Sequence, residues 1–228
     1  MDRIGPVGLA TLLARRPWGR LRGVIVVVGR LDRHAGVAAR AVAAATVAGG
    51  ARTELVGAVP ADAGGDVVLA EIAAAGIGHA AVLRSPSAGI DRNDLDLALR
   101  YLPDIRVIVL VVSAEDADGL VATATDAAAW SGARLIVAAG ASPESLPADA
   151  VVLEAPASDP DGAFAGVVAD LAVRLDAGAA PITAWEATRS ALALEPVAES
   201  AATATAPAVR AEASPGPVRR SGRRSPAG

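Results

Sequence analysis

The fold is decided by residues 24–84, which read VIVVVGRLDRHAGVAARAVAAATVAGGARTELVGAVPADAGGDVVLAEIAAAGIGHAAVLR. Three short runs of β-branched and aliphatic residues alternate here with two longer, Ala-rich stretches. Strand-sized apolar runs that alternate with helix-sized stretches are typical of βαβ units around a parallel sheet. The predicted strands are Gly23–Val28, Thr53–Val59 and His79–Leu83, and the predicted helices are Ala35–Ala48 and Gly65–Ala75.

The same alternation continues through the second half of the chain. The further predicted strands are Arg106–Val112, Arg134–Ala138 and Ala150–Leu153, and the further predicted helices are Asn93–Leu102, Glu115–Trp130 and Asp161–Asp176. The strands are apolar on both faces, as expected when helices cover both sides of a sheet. The sequence therefore predicts an α/β fold of three layers, with a mainly parallel, doubly wound sheet in the middle.

The composition changes after Leu194, where the chain becomes rich in Ala, Pro, Ser and Thr and ends in an Arg-rich segment. Such a composition cannot bury a core. We predict an N-terminal extension over residues 1–22, one α/β domain over residues 23–194 and a disordered tail over residues 195–228.

The residue types that are missing exclude several kinds of site. The 228 residues include no Cys and only two His, His34 and His79, so we predict no metal site and no disulfide. All 21 basic residues are Arg. The lysines of P-loop proteins, of Schiff-base enzymes and of protein kinases are therefore excluded.

Charge and hydropathy limit the kinds of partner that the protein can have. A net charge of −4 provides no global attraction to nucleic acid. The longest aliphatic runs, Val24–Val28 and Val107–Val112, are far shorter than the roughly 20 residues that cross a bilayer. Residues 1–22 lack the apolar segment and cleavage site of a secretory signal. We expect a cytoplasmic protein with neither a membrane nor a nucleic-acid partner.

The order and spacing of motifs in residues 24–84 resemble the N-terminal part of the ribokinase-like (PfkB-type) carbohydrate kinases. The matching pieces are Gly36 with the Ala-rich stretch 41–45, the turn LVGAVPAD at 55–62, and the stretch from Ala70 to Ile77 that contains Gly76. The resemblance implies a ribokinase-like core. It also implies ATP-dependent phosphorylation of a sugar hydroxyl, with ATP and Mg²⁺ as cofactors if the protein is active and no cofactor otherwise.

A second piece of resemblance lies at residues 159–166, DPDGAFAG, which are similar to the family's GAGDAFxxG block. In that block a helix N-terminus binds the phosphoryl group and the Asp accepts the sugar's proton. Aligning the Ala-Phe pair places Gly162 at the catalytic Asp. Asp161, one position earlier, is then the remaining candidate catalytic residue, and Gly162 and Ala163 are the candidate phosphate-binding residues.

The same residues have an interpretation without catalysis. Asp159 is a favourable N-cap and Pro160 a favourable first helical residue. Pro160 also lacks an N–H donor, and the charges of Asp159 and Asp161 oppose a bound phosphate. We therefore favour a degenerate catalytic block over an active one.

The sugar side of the resemblance is also incomplete. Asp32 and Gly36 are the candidate substrate-binding residues, but Ala39 stands where these kinases carry a sugar-binding Asn. The connection between Leu83 and Asp91 leaves no room for the family's β-sheet lid, and residues 137–154 are too few for its nucleotide-base loops. The chain therefore resembles a reduced core of the fold, without the lid.

Three functions remain open. The first is a degenerate carbohydrate kinase homologue, binding a small sugar and a nucleotide, with weak or lost activity. The second is a non-catalytic binding or assembly module that pairs with itself as a homodimer or with a kinase partner. The third is a small-metabolite sensor that binds its ligand at the carboxyl ends of the strands.

Overall fold

The computed structural model describes residues 23–31, 39–86, 89–113, 117–139, 146 and 150–192. The strands are β1 (Val24–Gly29), β2 (Arg52–Val59), β3 (Gly78–Arg84), β4 (Ile105–Val112), β5 (Arg134–Ala139) and β6 (Val151–Glu154). The helices are α1 (Ala39–Ala48), α2 (Ala63–Ala74), α3 (Arg92–Tyr101), α4 (Ala117–Ser131), α5 (Ala163–Asp176) and α6 (Pro181–Ala191). The predicted N-terminal extension and C-terminal tail lie outside the described residues.

The six strands form one sheet in the order β3-β2-β1-β4-β5-β6, and every neighbouring pair is parallel. The chain builds outward from β1 to β3, crosses to β4 and builds outward again on the other side. This confirms the predicted three-layer, doubly wound α/β fold. Among the described residues every strand belongs to this sheet, so none of them forms a separate lid.

Both faces of the sheet are buried, because successive side chains along each strand point alternately into the two helical layers. On one face, Ile25 and Val27 of β1 pack with residues of α1, α2, α5 and α6. On the other, Val24, Val26 and Val28 pack with residues of α3 and α4. We call these the α1 face and the α3 face of the sheet.

Two glycines permit close approaches in the first half of the fold. A Cβ on Gly57 would lie 2.5 Å from the Gly29 carbonyl oxygen and 2.7 Å from the Leu31 side chain. A Cβ on Gly65 would overlap the Pro60 carbonyl oxygen. Gly57 lies inside β2 rather than in the turn that follows, so its role is the close packing of neighbouring chain segments.

Asp91 and three glycines mark helix ends, as an Asp before a helix and a Gly after one predict. Asp91 forms a capping box with Asp94, because each side chain bonds the other's backbone N–H. Gly76, Gly132 and Gly178 have φ values of 72°, 70° and 90°, which end their helices without a steric penalty.

Polar contacts join distant parts of the domain. The buried carboxylate of Asp176, at the end of α5, accepts a hydrogen bond of 3.0 Å from the backbone N–H of Gly23. Six residues earlier in α5, the Asp170 carboxylate accepts a hydrogen bond from the Arg174 guanidinium at 2.6 Å and another from the buried Thr188 hydroxyl of α6 at 2.7 Å. These bonds fix α5 against β1 and α6.

The predicted packing roles of two side chains have different outcomes. His79, which opens an apolar strand, was predicted to be partly buried, and that is wrong because it is exposed on the edge strand β3. Trp130 was predicted to be a core or interface anchor; its side chain is more than half exposed at the end of α4, which excludes the core role and leaves the interface role a prediction. Trp185 does pack against the core of the α1 face.

Within the described residues, no helix is both long and apolar enough to span a membrane.

Candidate functional site

The candidate site lies where the carboxyl ends of the strands meet. β1 and β4 are neighbours, but the chain leaves them toward opposite sides of the sheet. Ligands of open α/β sheets bind at such a switch point, because the departing connections open a crevice there. The crevice holds a small recess on the α3 face, lined by Gly29, Arg30, Gly89, Ile90, Val111, Val112 and Leu120.

The start of α1 closes the crevice on the opposite face. A Cβ on Gly29 would lie 2.8 Å from the Ala39 methyl and 2.7 Å from the Val111 carbonyl oxygen. Ala39 is itself buried. The position where the resembled kinases carry a sugar-binding Asn is therefore a packing position in this protein.

The helix that would bind the phosphoryl group is α5, which packs over β1, β4 and β5. It begins at Ala163 and its N-cap residue is Gly162, with φ 67° and ψ 17°. The prediction of a helix from Asp161, capped by Asp159 and begun by Pro160, is wrong in this respect. The left-handed Gly162 inserts an extra turn between Pro160 and the helix.

Asp159 nevertheless accepts hydrogen bonds from the N-terminus of α5, although it lies four residues before the helix begins. Its Oδ1 accepts a hydrogen bond from the Phe164 N–H at 3.1 Å, and its Oδ2 accepts from the Ala165 N–H at 2.9 Å. Its backbone carbonyl accepts from the Gly162 N–H at 3.2 Å. One aspartate thus binds three N–H groups, and its carboxylate occupies the position that an anion takes at a helix N-terminus.

The remaining predicted site residues have few contacts. Asp161 is exposed, and among the described residues it makes neither a hydrogen bond nor an ion pair. In the first turn of α5, the N–H groups of Phe164 and Ala165 bond Asp159, and the N–H of Gly166 bonds the Gly162 carbonyl. Among the described residues, the Ala163 N–H has no bond partner. A bound phosphoryl group would therefore find a single donor unless it displaced Asp159.

The predicted sugar-binding residues, Asp32 and Gly36, lie outside the described residues. Their roles stay predictions. Within the described part of the chain, no group of three or more His, Asp and Glu side chains is placed to hold a metal ion.

The pKa shifts in the domain lie away from this helix start. Burial alone would raise the pKa of Asp170, but hydrogen bonds from Arg174 and Thr188 and the Arg174 charge outweigh it and lower the pKa. A hydrogen bond to Asp96 raises the pKa of the exposed Arg100 on α3. Both groups stabilise helices and neither faces the crevice residues named above.

Sequence reasoning identified the segment of the site and the capping role of Asp159, but it missed how that cap is built. The spacing predicted a cap at the first helical residue, whereas the observed bonds reach five and six residues ahead. A Gly three residues after an Asp was the available signal, because Gly adopts the left-handed conformation that such a turn needs.

No family model and no curated protein matches the sequence. Among solved structures, a protein from E. coli assigned as ribokinase II, in complex with ATP and Mg²⁺, is 14% identical with a TM-score of 0.50, and the match covers 76% of this chain and 92% of that one. A fructokinase with bound ATP from Xylella fastidiosa is 16% identical with a TM-score of 0.44. A PfkB family carbohydrate kinase from Listeria grayi is 12% identical with a TM-score of 0.40.

The matches cover 67% of this chain and 56% of the fructokinase, and 66% of this chain and 58% of the Listeria kinase. The chain thus spans under three fifths of the length of those two kinases. The E. coli structure carries the fold comparison, since it is matched over most of both chains. This protein therefore has an α/β fold like the ribokinase-like core, and several of its neighbours among solved structures are carbohydrate kinases of the PfkB/ribokinase family.

Proposed function

We propose that this protein is a ribokinase-like domain that has lost phosphoryl transfer. The observation that carries the proposal is the carboxylate of Asp159, which bonds the N–H groups of Phe164 and Ala165. Phosphoryl transfer at a helix start needs those donors for the transferred group. A resident carboxylate both uses the donors and repels phosphate.

The position of the catalytic base supports the same proposal. Gly162 offers no side chain, and its left-handed conformation separates Asp161 from the first helical turn. A general base must reach the proton it abstracts within about 3 Å, directly or through one water. Asp161 makes no bond to another described residue that would hold it in such a position.

Calorimetry with ATP and Mg²⁺, together with an assay of sugar-dependent ADP release, tests the proposal. We expect no sugar-dependent turnover from the wild-type chain. Robust turnover that Asp161→Ala abolishes would overturn the proposal and restore Asp161 as the base. The same experiment tests ATP and Mg²⁺ as cofactors and the sugar as substrate.

A pair of variants tests the part played by Asp159. Asp159→Ala frees two N–H donors and removes one charge, whereas Asp161→Ala removes one charge and frees no donor. We expect the first variant to bind inorganic phosphate several-fold more tightly than the second. Equal binding by both variants would show that charge alone, and not the occupied helix start, excludes phosphate.

A second candidate function is the binding of a small ligand in the recess at the switch point. The recess has apolar walls that include Ile90 and Leu120, and Arg30 also lines it. Its volume of about 20 Å³ admits a group of about the size of a water molecule, so a metabolite would bind mainly in the open crevice above it. A thermal-shift screen of small metabolites tests ligand binding at this crevice.

The predicted pairing with a second copy or with a kinase partner is tested separately by light scattering.

A further inference from the structure

The two edges of the sheet differ in how they are protected. β6, at one edge, has four residues and ends at Glu154, and a short or charged edge strand discourages pairing with another chain. β3, at the other edge, has seven residues, and its central run from Ala80 to Leu83 contains neither a charge nor a proline. Among the described residues, no second strand pairs with the outer side of β3. β3 is therefore an unprotected edge.

The backbone of β3 offers hydrogen-bonding groups on this outer side. The Ser85 N–H donates to the Val59 carbonyl of β2 at 3.0 Å. Successive residues of a strand direct their N–H and C=O groups to opposite sides, so those of Val82 and Arg84 point away from β2. A row of such groups bonds an added extended strand in the way that one strand of a sheet bonds the next. The chemistry of the edge thus specifies a β-strand as its partner.

The side chains beside the edge leave room for that strand. The exposed Asp66 of α2 forms an ion pair with Arg84, which places this side of α2 next to β3. Ala70 and Ala73 follow Asp66 by four and seven residues, so they lie on the same side of the helix, and both are exposed. Their small side chains let a second chain approach closely. The charge of Arg84 is paired with its own helix rather than directed across the edge.

We propose that β3 pairs with β3 of a second copy in antiparallel orientation, about a twofold axis through Val82, so that the two sheets become one. A twofold contact requires a surface that is complementary to itself. With Val82 on the axis, Ala81 of each copy lies opposite Leu83 of the other, and these cross-strand pairs are aliphatic. Arg84 of each copy lies opposite Ala80 of the other, so like charges do not face each other.

A second copy suits this edge because the pairing closes after two chains and covers both β3 edges at once. The proposal specifies the surface of the homodimer predicted from the sequence. It is independent of the proposed loss of phosphoryl transfer, because the start of α5 takes no part in the contact.

The size of the contact determines how the dimer should behave. Seven residues at about 3.3 Å each extend about 23 Å, and an edge strand with the flank of one helix is roughly 15 Å deep. The contact thus covers about 350 Å² on each copy, less than the roughly 800 Å² per partner of stable complexes. We therefore expect a dimer that dissociates on dilution.

Disulfide formation tests the pairing, and the chain has no native cysteine to compete. Val82→Cys places two thiols at the axis, with Cα atoms about 5.5 Å apart, a separation that a disulfide spans. Val152→Cys is the control, because Val152 is more exposed and lies on the other edge strand, β6. On mild oxidation of the full chain, we expect a covalent dimer of Val82→Cys in large excess over that of Val152→Cys. Equal yields, or no dimer of Val82→Cys, would overturn the proposal.

Light scattering over a range of protein concentrations provides a second test that needs no cysteine. Val82→Lys places two positive charges opposite each other at the axis, and Val152→Lys adds the same charge to β6. We expect the mass of the wild type and of Val152→Lys to rise toward that of a dimer with concentration, while Val82→Lys stays monomeric.

Two outcomes of the light scattering would overturn the proposal. Dimers of all three proteins would place the contact elsewhere on the molecule. A monomeric wild type would mean that the β3 edge is free or is covered by another segment of the same chain. Neither outcome bears on the loss of phosphoryl transfer, which the assay of ADP release tests separately.

Discussion

The first half of the domain, from β1 to β3, differs from the second half in what its glycines and aspartates do. In the first half they permit close packing: Gly57 lets β2 pass against Gly29, and Asp62 caps α2 through the Gly65 N–H at 3.0 Å. In the second half, Gly162 and Asp159 build a turn that fills the start of α5. The same residue types thus maintain the scaffold in one half and occupy the candidate site in the other.

The comparison teaches that the residues that maintain a fold and the residues that fill a candidate site can belong to different segments of the chain. The first half contains the turn and helix spacing that resemble the ribokinase-like kinases. The second half contains the start of α5, where the N–H groups of Phe164 and Ala165 bond the Asp159 carboxylate. Substitutions in the first half should therefore act mainly on stability, and substitutions at the start of α5 mainly on anion binding.

The largest expected effect tests the first half. Gly57→Ala forces a Cβ to within 2.5 Å of a backbone oxygen that cannot move easily, so we expect a loss of about 3 kcal/mol or more of unfolding free energy. Gly166→Ala in α5 is the control, since nothing lies within 4 Å of its Cβ and Ala favours a helix. Urea denaturation measures both. Similar losses in the two variants would refute the packing role of Gly57.

The next effect tests the bond that joins the halves. Asp176→Ala leaves the buried Gly23 N–H without an acceptor, so we expect a loss of about 1–3 kcal/mol. Asp176→Asn keeps an acceptor oxygen and should retain much of the stability. Denaturation of both variants checks this, and an equally large loss in the Asn variant would point to the charge of Asp176 rather than to its hydrogen bond.

A smaller effect tests the start of α5. Asp159→Ala removes the side-chain bonds to Phe164 and Ala165, so we expect a loss of about 1 kcal/mol, as for other helix caps. Asp161→Ala should stay within about 0.5 kcal/mol, because exposed residues without partners contribute little. Thermal denaturation compares the two. A larger loss at Asp161 would mean that this carboxylate, and not Asp159, stabilises the helix start.

The smallest effect is a pH dependence of the α5–α6 contact. The pKa of Asp170 is lowered in the folded state, so its contribution to stability is fully present above its unfolded pKa and is lost as the pH falls through the lower folded pKa. Asp170→Asn should flatten this part of the curve of melting temperature against pH. An unchanged curve between pH 5 and pH 2 would show that Asp170 does not carry it.

Much of the fold could be predicted because its signals are local. Predicted strands such as Thr53–Val59 and Arg134–Ala138 differ by one residue from the observed β2 and β5. Apolar runs and helix stops act over a few residues, so one sequence suffices to find them. The error at the start of α5 arose because Asp159 reaches past a left-handed Gly162, and that conformation is not encoded by the cap pattern alone.

The sequence by itself determined the βα alternation, the absence of lysine and cysteine chemistry, and the caps at Asp91 and Gly76, because each depends on neighbouring residues or on composition. Tertiary structure alone decided the strand order, the approach of Gly57 to Gly29, and the bond between Asp176 and Gly23, which are 153 residues apart. It also decided that Asp159 fills the start of α5. Contacts between distant segments depend on how the layers pack, and no local pattern records that packing.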